Sequence, residues 1–405
     1  MLGIGGVART TSIQLDKLAW ITADIAVVAL LFQDSSWFLK SISAAWPIYL
    51  WPAIAIISSV WSLEPGLSFY HGVQLLATLM VGSLLAKNYD IREIGELFFW
   101  ALLMTMAASV AFVLIGFHGS RDPFGAWQGA FPHKNNLGGA MVVLVALTPA
   151  LMGRGKLNTC VALIAIVSGT GVTILSKSGT AIFTLLVVYL LIIFALMFSS
   201  IRRNPGVYLA LFSLLAISSL LAIEISGIDL TDFLLSALGK DRTLSGRTVL
   251  WYYGWLTFED HPYLGIGYKA YMASDQTSSS IVQYILQQRL PYLHNNYLEV
   301  AVAFGFFGFV PFVMGLCFSI WCAIKLLIRD NLRGAWPLCF MVNVLIVMST
   351  ENPLFYNHSI TQVIWMSICC AAMLERGSAS YPIAAKRQAQ TSPQPYIGGE
   401  GMHTI

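Results

Sequence analysis

KLNTCVALIAIVSGTGVTILSKSGTAIFTLLVVYLLIIFALMFSSIRR, residues 156–203, holds no charged side chain between Lys156 and Arg202 except Lys177 at its midpoint. A bilayer's hydrocarbon core takes about twenty apolar residues of α-helix to cross. Two such helices, 158–175 and 180–199, joined by a tight turn at Ser176-Lys177-Ser178-Gly179, fit the stretch. Arg154 and Lys156 flank one end, Arg202 and Arg203 the other. Basic flanks of this kind stay on the cytoplasmic side, so the turn is predicted to lie outside. The hairpin sets the frame for the rest of the chain.

The 405 residues are 57% hydrophobic and 11% charged, with a mean hydropathy of +0.71. A soluble domain carries roughly a quarter charged residues, so this surface must face lipid. Further apolar runs at 18–33, 42–61, 67–86, 95–117, 137–152, 207–227, 297–324, 335–350 and 359–374 predict an all-α polytopic transmembrane helix bundle. The total is about eleven spans, with roughly ten to twelve as the range. A net charge of +3 is too small to imply nucleic acid. Cys160, Cys317, Cys322, Cys339, Cys369 and Cys370 fall in or beside apolar runs and read as small buried hydrophobes rather than a disulfide framework. Met1 to Lys17 lacks the apolar core of a cleavable signal.

Counting outward from the hairpin, Lys325, Arg329 and Arg333 are expected inside, as is the tail with Arg376, Lys386 and Arg387. Loops 118–136, 228–296 and 351–358 are then outside. Eleven spans put the N-terminus outside as well, whereas Arg9 and Lys17 favour the inside. The expected organisation is one transmembrane domain, 1–377, with a large periplasmic loop containing short helices inserted at 228–296. A Pro-, Gln- and Ser-rich disordered cytoplasmic tail at 378–405 completes it.

Candidate chemistry gathers in the outer loops. SGRTVLWYYGWLTFEDHP, from Ser245 to Pro262, has a good N-cap and a proline stop, predicting a helix. Leu250, Trp251, Gly254, Trp255 and Phe258 share a face suited to the membrane interface, and Arg247 points along it. An arginine at headgroup level can grip a phosphate through its planar fork, or equally snorkel to anionic lipid. His261 sits at the end of the same helix. His294 and Asn295 open the next membrane helix, where free N–H groups and the positive helix end favour an anion, although a histidine there can also be idle. Glu299 lies about 140° around that helix from His294, off its face. In loop 118–136, Arg121, His133, Lys134 and Asn135 collect, and Lys177 stands alone at the hairpin tip. Basic residues on the outer side run against the orientation rule, and an anionic ligand would account for them.

Other motifs are weak or absent. Gly265 to Ala270 fits a dinucleotide fingerprint only on paper, follows no strand, and reads as a turn. There is no phosphate-binding Walker loop, no Cys/His metal set and no DxD pair; no metal or cofactor is implied. A transporter or flippase, the rival class, would show buried charges and internal repeats. Asp24 and Glu224 are among the few charges in the spans, and no repeat is evident.

Four stretches together resemble the O-antigen ligase and polysaccharide polymerase superfamily, and within it the exopolysaccharide polymerase branch. They are GAFPHKNNLGG at 129–139, SGRTVLWYYGWLTFEDHPYLGIG at 245–267, HNNYLEVAVAFGFFG at 294–308 and TEN at 350–352. The resemblance implies a metal-independent glycosyltransferase of the bacterial inner membrane. Its donor would be a polyprenyl-pyrophosphate-linked glycan, its acceptor a second glycan, with membrane lipid around the site and a chain-length regulator as a candidate partner. It also implies that Arg247 and His294 are the essential pair. The superfamily's basic residue at the hairpin aligns with Gly179 here, with Lys177 two residues before it. The KNN and TEN stretches look more like polymerisation than ligation to a lipid A core or to protein.

Overall fold

In the computed structural model, residues 33–152, 155–203, 247–286, 292–355 and 359–374 are described, with Thr22, Ile25, Ala26, Val27, Ala29 and Leu30 before them. The expected spans 207–227 and, for the most part, 18–33 lie outside the described residues. So do the first part of the 228–296 loop and the 378–405 tail. Every extended element among the described residues is helical. In chain order these are α1 (Ser35–Ala44), α2 (Trp46–Ile57), α3 (Pro65–Asn88), α4 (Ile91–Leu114), α5 (Lys134–Ala146), α6 (Thr148–Leu151) and α7 (Lys156–Leu175). They continue with α8 (Gly179–Arg203), α9 (Arg247–Asp260), α10 (Ser279–Leu286), α11 (Asn296–Asp330), α12 (Trp336–Val347) and α13 (Ile360–Met373).

Among the described residues, five helices are long and apolar enough to cross a membrane: α3, α4, α7, α8 and α11. A sixth is reached if the bent pair α1–α2 counts as one span. The expectation of about eleven therefore meets fewer long helices, and proline explains part of the difference. The run read as 42–61 bends by 102° at Ala45, because Pro47 starts a new helix and cannot continue the old one. The run read as 137–152 breaks at Leu147, ahead of Pro149. At 1.5 Å per residue, α5 extends only about 20 Å. α12 and α13 are likewise apolar but short.

The hairpin of α7 and α8 turns its bulk outward. Leu163, Ile164 and Val167 on α7 and Leu186, Leu190 and Ile193 on α8 are exposed, as a lipid-facing surface requires. Cys160 and Cys317 are exposed too, contrary to the expectation of burial, while the other four cysteines are buried. Where helices cross, small residues let backbones approach. A Cβ at Gly82 of α3 would lie 2.5 Å from the Val363 carbonyl oxygen of α13.

A buried aromatic cluster joins α2, α11 and two connecting segments. Trp51 lies 4.8 Å from Phe312 and 5.2 Å from Phe304, and Tyr268 lies 4.8 Å from Phe355, centroid to centroid. Such pairs add about 0.5–1.5 kcal/mol each beyond area burial. α11 is broken above this cluster at Gly305, whose φ of 56° and ψ of −157° are not helical. The break opens backbone groups that segment 262–267 closes. Ile266 and Gly267 N–H donate to the Val302 and Ala303 carbonyls, and Phe306 and Phe307 N–H donate to those of Pro262 and Tyr263. Gly265, at φ +64°, is obligatory, since a Cβ there would sit 2.4 Å from the Ala303 carbonyl carbon. The Gly265–Ala270 stretch is thus a turn fastened to a membrane helix.

Candidate active site

The segment after α12 brings four helix starts together. Thr350 and Glu351 receive contacts from Asn135 at the head of α5, Thr180 at the head of α8, Arg247 at the head of α9, and His294 just before α11. Helix N-termini carry partial positive charge, so their convergence makes this end of the bundle electropositive.

Glu351 is the hub. Its Oε1 accepts from Arg247 Nη2 at 2.9 Å and from Asn135 Nδ2 at 2.8 Å. Its Oε2 accepts from the Tyr292 hydroxyl at 3.1 Å and contacts His294 Nδ1 at 3.2 Å. Four partners match the four lone-pair positions of a carboxylate. Arg247 also donates from Nη1 to the Thr350 carbonyl at 2.7 Å, so two arms of its fork hold adjacent residues. Burial alone would raise the Glu351 carboxyl. The His294 hydrogen bond, the Arg247 and His294 charges and the Asn135 bond outweigh it and bring the pKa down to about 2. At neutral pH the group is therefore a pure acceptor, which places a proton on His294 Nδ1 in the shared contact; in the neutral form of the ring Nε2 is then the acceptor nitrogen.

The cluster is accessible in part, with side-chain exposures of 15% for Arg247, 19% for Glu351 and 21% for His294. Its framework is stiff. Trp251 Nε1 donates to the Leu293 carbonyl at 2.9 Å, Asn295 caps α11 by accepting from Leu298 N–H, and the Tyr292 and His294 rings lie 4.3 Å apart. His294 adopts φ +53°, a conformation uncommon for a non-glycine residue and frequent where a site imposes strain.

The residues singled out in the sequence divide four ways. Arg247, His294 and Asn135 meet at Glu351, and His133 caps α5 near enough that Glu351, His294 and Arg247 all act on its imidazole. Asn295 serves as a helix cap. Arg121, Lys134 and Lys177 instead find partners within loop 118–133. Lys134 pairs with Asp122 at 3.1 Å, Lys177 Nζ donates to the Phe124 carbonyl at 3.2 Å, and the Arg121 guanidinium lies 5.8 Å from the centroid of the Trp127 ring. Those contacts account for these basic residues without a ligand. His261 lies exposed at the far end of α9. Arg247 also departs from expectation in direction. Its face of α9, with Leu250, Gly254 and Thr257, packs inward, with Leu293 and Leu298 against Gly254, while Trp255 is exposed.

Glu351, Tyr292 and Thr350 are the residues that sequence reading passed over. The TEN stretch was visible as a motif, but a lone carboxylate among apolar runs carries no periodicity that points to four partners distant in the chain.

Comparison with known proteins bears on this arrangement. Residues 161–313 match the family model described as O-antigen ligase, a range that holds Arg247 and His294. The exopolysaccharide production protein ExoQ of Rhizobium meliloti (strain 1021) is 25% identical over 298 residues, which is 70% of this chain and 67% of that protein. A chain from the solved structure described as "Structural coordination of polymerization and crosslinking by a peptidoglycan synthase complex" is 14% identical and covers 82% of this chain and 96% of its own, with a TM-score of 0.42. The resemblance carried by the four motif stretches agrees with the first two of these matches.

Proposed function

From a multi-pass membrane chain carrying an O-antigen ligase family domain, we propose a glycosyltransferase of polysaccharide biosynthesis whose reacting centre is Arg247, His294 and Glu351. The reaction is polymerisation of polyprenyl-pyrophosphate-linked oligosaccharide units into an exopolysaccharide or O-antigen-type polymer. The observation that carries this reading is the convergence of Arg247 and His294 on one carboxylate at an electropositive end of the bundle.

A sugar pyrophosphate is already activated, so the protein must align an acceptor hydroxyl and stabilise charge on the leaving group. The acceptor oxygen bonds to the anomeric carbon as the bond from that carbon to the pyrophosphate oxygen breaks. Arg247 donates to the departing pyrophosphate. His294 Nε2 takes the acceptor's proton, its Nδ1–H held by Glu351. Glu351 is fully partnered and weakly basic, so it orients both groups rather than acting as the base. Asn135 and His133 border the same space, and the exposed aromatics Tyr252 and Trp255 of α9 suit a lipid-anchored donor.

The test is transfer by the purified protein from a polyprenyl-pyrophosphate-linked repeat unit, with a strong chelator present. A ladder of polymer lengths is expected. Transfer that only magnesium or manganese restores would overturn the metal-independent mechanism. Ligation is the second reading, favoured by the name of the matching family. A single addition onto a lipid A core acceptor, with no ladder, would establish it instead.

The reading needs loop 228–296 at the periplasmic face of the bacterial inner membrane, where a chain-length regulator could also meet the growing polymer. Ser280 is exposed on α10, whereas Ser279 beside it is buried. A Ser280→Cys protein is expected to react with a membrane-impermeant thiol reagent in intact spheroplasts, where the wild-type protein, with Cys160 near the cytoplasmic flank and Cys317 within a membrane helix, is not. Labelling that rises only after lysis would reverse the orientation.

A further inference from the structure

Glu299 and Asn352 are buried side chains that the mechanism above does not use, with exposures of 5% and 3%. Glu299 lies in the first turn of α11, and its Oε2 accepts from Leu293 N–H at 2.7 Å and from Asn352 Nδ2 at 2.9 Å. Leu293 precedes His294 and Asn352 follows Glu351. One carboxylate oxygen thus ties together the neighbours of two residues far apart in the chain. Further bonds brace the same two segments. Asn296 N–H donates to the Met348 carbonyl at 2.8 Å, and Leu354 N–H donates to Asn296 Oδ1 at 3.1 Å.

We infer that the Glu299–Asn352 pair is a positioning clasp that fixes His294 relative to Glu351, and so sets the direction of the imidazole in the transfer reaction proposed above. The inference rests on that reading. Three observations carry it. The turn at His294 is left-handed, so it needs an outside anchor, and the Leu293 N–H bond to Glu299 supplies one immediately before it. The Asn352 Oδ1 atom is buried with no hydrogen-bond partner among the described residues. A buried amide whose carbonyl goes unsatisfied is costly, and among the described residues the side chain's hydrogen bond is the donation to Glu299. Finally, a buried carboxyl group is expensive unless its oxygens are well paired, and here both donors come from segments that frame the site.

The experiment compares Glu299→Leu, Glu299→Gln, Asn352→Asp and the double variant Glu299→Gln/Asn352→Asp. Two readouts are taken: steady-state transfer, and the rate at which diethyl pyrocarbonate modifies His294, followed by mass spectrometry. A glutamine carbonyl can accept both bonds, so Glu299→Gln is expected within about fivefold of wild type. Glu299→Leu and Asn352→Asp are expected to lower kcat by about 100-fold or more, with donor KM changed less than about threefold, because alignment rather than uniform binding is lost. In the double variant a turned glutamine amide can donate from Nε2 to the new aspartate while its Oε1 keeps the acceptor role toward Leu293 N–H. Recovery of at least about tenfold over Asn352→Asp is expected, a coupling that separate destabilisations would not give. Glu299→Leu within threefold of wild type, or a double variant no better than Asn352→Asp alone, overturns the clasp. Should the wild-type protein transfer no sugar, the glycosyltransferase reading fails by itself. The clasp is then judged by His294 modification, which should quicken in Asn352→Asp and slow again in the double variant.

Discussion

Arg247→Ala should lower glycosyl transfer by roughly 10²–10³-fold, the cost of removing one preorganised donor at developing negative charge. The protein itself should remain in the membrane at normal levels, and lipid-linked repeat units should accumulate in cells. Arg247→Lys should rescue poorly. The guanidinium spans Thr350 and Glu351 with two nitrogens, at 2.7 and 2.9 Å, and a single ammonium cannot hold both and still face a pyrophosphate. In-vitro transfer and the pool of lipid-linked intermediate are the two measurements. Normal-length polymer from the alanine variant would remove Arg247 from the mechanism.

The second large effect is expected at Glu351, through proton placement rather than loss of charge alone. In Glu351→Gln the side chain can present an amide N–H toward His294 Nδ1, which then becomes an acceptor, and the proton moves to Nε2 where the base is needed. A tautomer reversal of this kind costs about 10⁴-fold in a serine protease triad, so a loss of roughly 10²–10⁴-fold is expected here. His294→Ala should fall in the same range, and combining it with Glu351→Gln should cost little more, since both act through one imidazole. Additive losses would show that Glu351 works through something else.

The same substitution has a signature in pH. The Glu351 carboxyl is held at about 2 against an ordinary 4.5, a difference worth about 3 kcal/mol of folded-state preference for the ionised form. A depressed carboxyl contributes fully above its unfolded value, and the contribution is lost as pH falls through the folded one. The melting-temperature gap between wild type and Glu351→Gln should thus be constant above about pH 5 and close between pH 4.5 and 2.

The sequence made the membrane class and the α7–α8 hairpin legible, since an uncharged run and its basic flanks are local signals. Motif resemblance also singled out Arg247 and His294, two residues that the fold brings to one carboxylate. Helix lengths were less legible, because hydropathy does not register the breaks that Pro47 and Pro149 impose. The direction of Arg247 was misjudged for a related reason. Its aromatic neighbours suggested lipid, whereas Gly254 lets α9 settle against Leu293 and Leu298 and turns the arginine inward. The cations Arg121, Lys134 and Lys177 looked like ligand-binding residues because their partners, among them the Phe124 carbonyl and the Asp122 carboxylate, arise from loop folding.

The interrupted helix α11 also constrains how the molecule can assemble. A straight helix through Gly305 would bond its own carbonyls at Val302 and Ala303 to the next turn. In the folded chain those carbonyls accept from Ile266 and Gly267, 36 residues earlier in sequence. In hydrocarbon, backbone groups left without partners cost several kcal/mol. The bent form therefore becomes affordable only once residues 262–267 have docked, and the docked segment in turn has no partners until the helix bends. The two events are one cooperative step. Because α9 leads directly into that segment and His294 directly into that helix, Arg247 and His294 come into register together as the membrane domain closes.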